Sequence, residues 1–365
     1  MRFLCAYHAL ELLLSKSIGI AGAPLMNRTL YYDILNIAAC FSVVVLHCNQ
    51  MVHTWQPGNN WLLGLGIEVL FYWAVPIFFM LTGATLMRYR ERYDTKTFLM
   101  KRFKRTVIPF VSWSLILYLL VSVPIDGAHL GIRTFVNMML STEIESVYWF
   151  FLPLFSIYLS LPILSLLADN QKVIAYGTGL SFILQSVLPY LSNLFCVSWP
   201  GGISILAFSG MLVYVGLGYL LSNNDLCRHY RYVLYATALI CMALRYSYTA
   251  ISSASLGYVD RLFFSYSAFP AVIQGAAVFV LAKQINIGCI SSKNAQRITR
   301  VSSCSFGVYL IHKPILDRLV IGDIGLGIDM KSIGLRLLGP ILLYAVCVCL
   351  VAFGKKIPLI KDYLL

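Results

Sequence analysis

Apolar stretches long enough to cross a membrane follow one another along almost the whole chain. A helix needs about 20 mainly apolar residues to span the hydrocarbon layer, and such stretches alternate here with short polar segments. We expect membrane-spanning helices at 29–52, 62–87, 106–124, 148–167, 173–190, 204–222, 232–250, 262–284, 301–320 and 333–353. The pattern predicts an all-α integral membrane protein, a bundle of about ten transmembrane helices.

Three segments are expected along the chain. Residues 1–28 form an N-terminal cytoplasmic extension, which resembles a secretory signal only loosely because His8 and Lys16 interrupt its apolar run. Residues 29–353 form the transmembrane domain, and residues 354–365 form a cytoplasmic tail.

Composition and charge agree with this class. The chain is 59% hydrophobic and 12% charged, with a formal net charge of +13. The basic residues cluster in alternate predicted loops, which is the pattern that sets membrane orientation. It places the N-terminus and the C-terminus in the cytoplasm, and it explains the positive charge without a nucleic-acid partner.

A polar stripe runs along the first predicted span. At 100° per residue, Asp33, Asn36, Cys40 and His47 fall within an arc of about 60°. Lipid cannot solvate such a stripe, so it must face other helices or a watery cavity. A histidine at membrane depth indicates function, although a hydrogen bond to a neighbouring helix alone also accounts for it.

Glu68 is the expected partner of His47. It lies near the start of the second span and His47 near the end of the first, so a short connection places both at a similar depth. A carboxylate bonded to one imidazole nitrogen would raise the basicity of the other, which suits a general base acting on a hydroxyl. The alternative is a glutamate in the headgroup region.

A second polar stripe lies on the ninth span, where Ser302, Ser305, Tyr309 and His312 repeat the helical spacing. We expect it to line the same cavity as the first stripe, with helix packing as the alternative. Arg245, Tyr246 and Tyr248 offer either a stacking surface for a sugar or interfacial anchors, and we favour anchors.

Five motifs resemble those of one known family. They are Asp33–Cys40 followed by Val43–His47, Val75–Gly83, Lys101–Arg105 followed by Ile108–Phe110 and Trp113, Tyr148–Phe151 with Tyr158 and Pro162, and Ser305–His312. In their order and spacing they are similar to the acyltransferase-3 family of integral membrane O-acyltransferases.

The resemblance implies transfer of an acyl group, usually acetyl, onto a hydroxyl. The implied donor is acetyl-CoA from the cytoplasm, and the implied acceptor is a cell-surface polysaccharide or a lipid-linked glycan at a bacterial inner membrane. His47 matches the histidine held essential in the family. Asn36, Ser305, Tyr309 and His312 are then expected to face the substrate cavity, and no metal is expected.

Arg102 and Arg105, at the cytoplasmic mouth of the third span, are candidates to hold the phosphates of coenzyme A by charge-assisted hydrogen bonds. The preference of basic residues for the cytoplasmic side of a membrane protein also accounts for these two arginines. One departure from the family concerns Asn36, because Arg or Lys often stands eleven residues before the histidine. An amide can form hydrogen bonds there but supplies no positive charge.

Two other classes of protein stay open. A non-enzymatic exporter of glycans or lipid-linked sugars also needs polar stripes inside the membrane, and an inactive scaffold would tolerate Asn36. For an enzyme, the position of His47 requires the acetyl group to travel about 28 Å along the first helix from its cytoplasmic end. We favour the extended arm of the donor over relay through an acyl-enzyme.

Overall fold

The computed structural model describes residues 25–200, 203, 206–322 and 325–364, and within these ranges every regular element is helical. The α-helices are α1 (Leu25–Cys48), α2 (Asn59–Phe71), α3 (Ala74–Leu86), α4 (Thr95–Arg102), α5 (Ile108–Leu117), α6 (Ile132–Leu140), α7 (Phe151–Leu164), α8 (Gln171–Ser181), α9 (Leu188–Leu194), α10 (Leu212–Asn223), α11 (Arg228–Leu256), α12 (Phe269–Lys283), α13 (Ser292–Ser302), α14 (Ser305–Ile315), α15 (Ile333–Leu337), α16 (Gly339–Gly354) and α17 (Pro358–Tyr363). Of the expected N-terminal extension, residues 1–24 lie outside the described residues.

Five stretches of the described chain are long and apolar enough to cross a membrane. They are Leu30–Cys48, Asn59–Glu91, Thr95–Ser122, Ser146–Leu167 and Gln171–Leu194, and α10, α12 and α16 are shorter apolar helices. Several of these stretches join α-helices through 3₁₀ or π turns, as in Thr95–Ser122. The prediction of a helical membrane protein is confirmed.

The second predicted span, 62–87, is not one continuous α-helix. Helix α2 ends at Phe71 and α3 begins at Ala74, because Pro76 has no N–H for the carbonyl of Tyr72. The side chain of Gln274 donates to the carbonyls of Val69, at 2.9 Å, and Leu70, at 3.2 Å. Tyr72 lies in this break and lines the candidate site described below.

Two further predicted spans are too long. Helix α10 begins at Leu212, inside the predicted span 204–222, and α12 begins at Phe269 rather than at residue 262. Pro270 lies in the first turn of α12, where its fixed backbone angle favours the start of a helix. The preceding residues form a loop stabilised by Asp260, whose carboxylate accepts from Leu262 N at 2.9 Å.

Two predicted spans differ from the structure near their starts. The third apolar stretch starts at Thr95 rather than at residue 106, because the basic residues Lys101–Arg105 made its first part appear as a loop in the sequence. The ninth predicted span, 301–320, is not one helix, because α13 ends at Ser302 and α14 begins at Ser305. Lys101 lies on α4, and its Nζ is 4.0 Å from the ring centre of Tyr93.

Helix α1 packs in register against α13 and α14 along what we call the polar seam. Its pairs are Asp33 with Thr299 (2.7 Å), Asn36 with Ser302 (2.9 Å), Cys40 with the carbonyl of Ser305 (3.4 Å) and His47 with His312 (5.1 Å between ring centres). Residue numbers increase in the same direction on both sides, so the helices run parallel. The two predicted polar stripes therefore lie against each other for most of their length.

Candidate active site

A cavity of about 240 Å³ opens beside His47, near the end of α1, and we call it the His47 cavity. His47 is half-buried, and Glu68 from α2 and Tyr309 from α14 line the same cavity. The remaining lining residues are Val43, Leu46, His53, Tyr72, Val75, Trp149, Arg261, Phe264 and Tyr266. Three residues proposed from sequence are thus brought together.

Among the residues that the structure describes, Glu68 does not form the expected hydrogen bond with His47. The carboxylate is 3% exposed, lies beside the side-chain amide of Asn49 and is attracted by the Arg245 guanidinium. Its Oε2 atom is buried without a hydrogen-bond partner among the described residues. Glu68 therefore contributes a carboxyl group to the cavity wall, whereas the neighbour of His47 on the other side is His312.

The hydrogen bonds of His312 fix the position of its proton. Nδ1 lies 3.0 Å from the carbonyl oxygen of Val308 and 2.8 Å from that of Tyr309. Because carbonyl oxygens only accept, Nδ1 carries the hydrogen and Nε2 of the neutral ring is an acceptor. Nε2 is buried and has no partner among the described residues, and the ring centre is 5.1 Å from that of His47.

A charged network lies directly after His312. Lys313 is 7% exposed and pairs with Asp317, whose carboxylate also accepts from Gln50 at 3.1 Å. Burial raises the pKa of the Glu145 carboxyl to about 7, while Lys313 opposes this shift and Asp317 adds to it. A buried cation thus follows His312 directly, and a carboxyl with a raised pKa lies near the Lys313–Asp317 pair.

A second cavity, of about 310 Å³, lies toward the other end of the polar seam, and we call it the Arg102 cavity. Asn36 and Arg102 both line it, together with Tyr32, Asp33, Phe78, Leu81, Thr82, Thr85, Leu86, Thr106, Phe150, Leu154, Tyr158, Ser302 and Phe306. The Arg102 guanidinium packs 5.8 Å from the ring centre of Tyr158. Helix α4 thus places a positive charge on the cavity where α1 carries only the amide of Asn36.

Three of the proposed site residues line neither cavity. Arg105 is exposed, and its charge is felt by the hydroxyl of Tyr158. Ser305 is 3% exposed, and its carbonyl accepts from Cys40 in the seam between the cavities. His312 is fully buried behind His47.

An aromatic stack forms one wall of the His47 cavity. Tyr266 is stacked on Tyr72 with 4.4 Å between ring centres and on Trp149 with 5.6 Å. Arg245 lies 3.5 Å above the Tyr72 ring and is 1% exposed, so its interpretation as an interfacial anchor is wrong. Arginine on an aromatic face is a favourable cation–π contact, which explains how its charge is tolerated in the interior.

Several residues that line the His47 cavity were not predicted from the sequence. Arg261, Phe264 and Tyr266 belong to the loop before α12, where a membrane helix was expected in part, and His53 ends a 3₁₀ turn. The one available signal was Pro270, which favours a helix start at that point rather than eight residues earlier.

The two cavities together can accommodate a two-substrate reaction. One presents imidazole, carboxylate and aromatic groups, and the other presents a guanidinium and amide next to apolar rings. Within the described residues, no group of three or more His, Cys, Asp or Glu side chains could hold a metal ion.

Comparison with known proteins gives one match. No curated protein and no solved structure matches the chain. The acyltransferase-3 family model, described as an acyltransferase domain, matches residues 29–354, which is nearly the whole chain. The chain therefore belongs to the acyltransferase-3 family, a family of membrane acyltransferases.

Proposed function

We propose that the protein is an O-acyltransferase of the bacterial inner membrane. It transfers acetyl from cytoplasmic acetyl-CoA to a hydroxyl of a cell-surface polysaccharide or a lipid-linked glycan. The observation that carries this proposal is the placement of His47 and Arg102 on two cavities at opposite ends of one polar seam. With both termini in the cytoplasm, the Arg102 cavity faces the donor and the His47 cavity faces the acceptor.

The Arg102 cavity suits an anionic donor. Its guanidinium can form charge-assisted hydrogen bonds with the phosphates of coenzyme A, and Nε of Arg102 is buried without a hydrogen-bond partner among the described residues. Arg105, three residues later and exposed, adds positive charge at the same mouth. The amide of Asn36 is held by Ser302 and leaves its oxygen to accept from the donor.

The His47 cavity suits a sugar acceptor. The rings of Tyr72, Trp149 and Tyr266 provide apolar surface, and Glu68 and Arg261 provide hydrogen-bonding groups. Convergence of a few polar groups on an aromatic wall is typical of pockets that orient a small ligand.

The reaction then uses His47 as general base. His47 takes the proton from the acceptor hydroxyl while the oxygen bonds to the thioester carbonyl carbon. The carbon–sulfur bond breaks, and His47 returns the proton to the thiolate of coenzyme A. A positioned base of this kind contributes about 10²- to 10⁴-fold to the rate. The ring of His312 lies beside that of His47, with 5.1 Å between the ring centres.

Direct transfer requires the donor to extend between the cavities. Asn36 and His47 are separated by about 16 Å along α1, so the phosphates can stay near Arg102 while the thioester reaches His47. We propose this route rather than a covalent acyl-enzyme.

The test measures thiol release by the purified protein in lipid nanodiscs with acetyl-CoA and total surface glycan. We expect release that depends on the glycan and falls by at least about 10²-fold in His47→Ala. His229→Ala, which removes an exposed histidine on α11, is the matched control and retains full activity. Thiol release unchanged in His47→Ala would refute the base, and no release by wild-type protein would refute the enzyme and favour an exporter.

A further inference from the structure

The two cavities follow one another along the same elements. Helix α3 lines the His47 cavity with Val75 and the Arg102 cavity with Phe78, and α14 lines them with Tyr309 and Phe306. Three residues of helix correspond to about 4.5 Å. The cavities are therefore separated on these helices by less than one turn.

Phe150 occupies this separation. Trp149 lines the His47 cavity and the next residue, Phe150, lines the Arg102 cavity. The ring of Phe150 lies 5.9 Å from Phe78, 4.8 Å from Phe79 and 5.4 Å from Tyr309, measured between ring centres. The Phe150 ring thus contacts both α3 and α14 next to the residues that line the two cavities.

The backbone around Phe150 is held in place on both sides. Tyr148 donates to the carbonyl of Leu310 at 3.0 Å, and the hydroxyl of Tyr309 donates to the carbonyl of Val147. These reciprocal bonds fix the 3₁₀ turn Ser146–Phe150 on α14. With the backbone fixed, rotation of the Phe150 side chain is the movement that can connect the cavities.

We propose that Phe150 is the partition between the donor and acceptor cavities and sets the acyl chain length that the enzyme accepts. This rests on the proposed function. In the closed position the ring keeps water that enters the His47 cavity away from the thioester, which limits hydrolysis when no acceptor is bound. In the open position the ring stands beside the acyl group, so that acetyl fits and a longer chain meets the rings of Phe78, Phe79 and Tyr309.

The experiment compares Phe150→Ala and Phe150→Trp with the wild-type protein in nanodiscs. Two quantities are measured: hydrolysis of acetyl-CoA without acceptor, and the ratio of kcat/KM for butyryl-CoA to that for acetyl-CoA. We expect the ratio to rise by at least about tenfold in Phe150→Ala, since each methylene that a pocket admits is worth a factor of this order. We expect hydrolysis to rise by more than about twofold, because water then reaches the thioester without an acceptor. We expect Phe150→Trp to lower transfer of acetyl and to leave the ratio no higher than in wild type.

Phe155→Ala is the matched control. Phe155 lies on α7, five residues after Phe150, and lines an apolar groove with Leu99, Met100 and Leu159 rather than either cavity. Thermal unfolding of each variant establishes that it is folded, and Phe150→Leu replaces Phe150→Ala if the latter is not.

The outcomes separate the two proposals. If wild-type protein transfers acetyl but the opened variant keeps both quantities within about twofold of wild type, Phe150 is a packing residue and the partition is refuted. If the wild-type protein transfers nothing, the proposed function fails. A rise in Phe155→Ala equal to that in Phe150→Ala would also refute the partition, because loosened packing alone would then explain it.

Discussion

The Arg102 cavity and the His47 cavity are built in different ways. The Arg102 cavity is lined entirely by residues of helices and their 3₁₀ and π turns, such as Asn36 on α1 and Phe306 on α14. The His47 cavity also takes Arg261, Phe264 and Tyr266 from the loop before α12. Helical spacing is readable in a sequence, whereas the position of a loop side chain depends on the packing of distant elements. The lining of the Arg102 cavity can therefore be predicted from helical spacing, whereas that of the His47 cavity depends on how the loop before α12 packs.

The largest expected effect that tests this division comes from Arg102→Met. Loss of a charge-assisted hydrogen bond costs about 1.5–3 kcal/mol, so we expect the KM for acetyl-CoA to rise by about 10- to 100-fold. The KM for the acceptor should stay unchanged, because Arg102 lines only the donor cavity among the two. Steady-state kinetics with each substrate varied in turn measures both constants.

Lys101→Met is the control for that variant, because Lys101 is exposed on the same helix and packs on Tyr93. A donor KM that rises equally in both variants would mean that only the overall positive charge matters. We expect an intermediate change for Arg105→Met, since Arg105 is exposed but close enough to influence Tyr158.

The reciprocal effect is expected from Arg261→Met. Its guanidinium lies on the His47 cavity and is exposed, so an exposed hydrogen bond to the acceptor is lost, worth about 0.5–1.5 kcal/mol. We expect the acceptor KM to rise by roughly 2- to 10-fold with the donor KM unchanged. Arg133→Met, an exposed arginine on α6, should leave both constants at their wild-type values. A changed donor KM in Arg261→Met would contradict the division into two cavities.

The smallest effect concerns stability and a region that borders neither cavity. Glu145 has a raised pKa of about 7, so between about pH 4.5 and 7 the folded protein holds a proton that the unfolded chain has released. The free energy of unfolding therefore falls as pH rises through this window. Glu145→Gln should lose that part of the pH dependence, with a Tm at pH 8 higher than wild type by about 2 °C.

Thermal unfolding at pH 5 and pH 8 provides the measurement. Glu143→Gln, at an exposed carboxylate that lines the same small cavity as Glu145, should retain the wild-type pH dependence. Equal slopes in wild type and Glu145→Gln would show that this carboxyl does not hold its proton in the folded state.

Helix α1 shows most clearly how much of the candidate site can be predicted from the sequence. Its polar stripe, from Asp33 to His47, was predicted by helical spacing, and each member has its partner on α13 or α14. The spacing could not show that the two stripes pack against each other and leave a cavity toward each end. Which residue meets which across a helix interface is decided by tertiary packing, and these partners lie 265 or 266 positions apart.

The remaining errors have local physical causes. The break between α2 and α3 depends on one proline in an otherwise uninterrupted apolar run. Arg245 was expected at the membrane surface, where an arginine costs little. It lies instead on the Tyr72 ring, and a cation–π contact between elements far apart in sequence leaves no periodic pattern to detect.

The register of the polar seam also has a consequence for biogenesis. Because α1 is synthesised some 265 residues before its partners on α13 and α14, its polar side chains enter the membrane without their final neighbours. The histidine pair can assemble only after α14, which carries His312, has inserted. A chain truncated before Ser292 would therefore expose unpaired polar groups in lipid, which makes the truncated protein a natural target for membrane quality control.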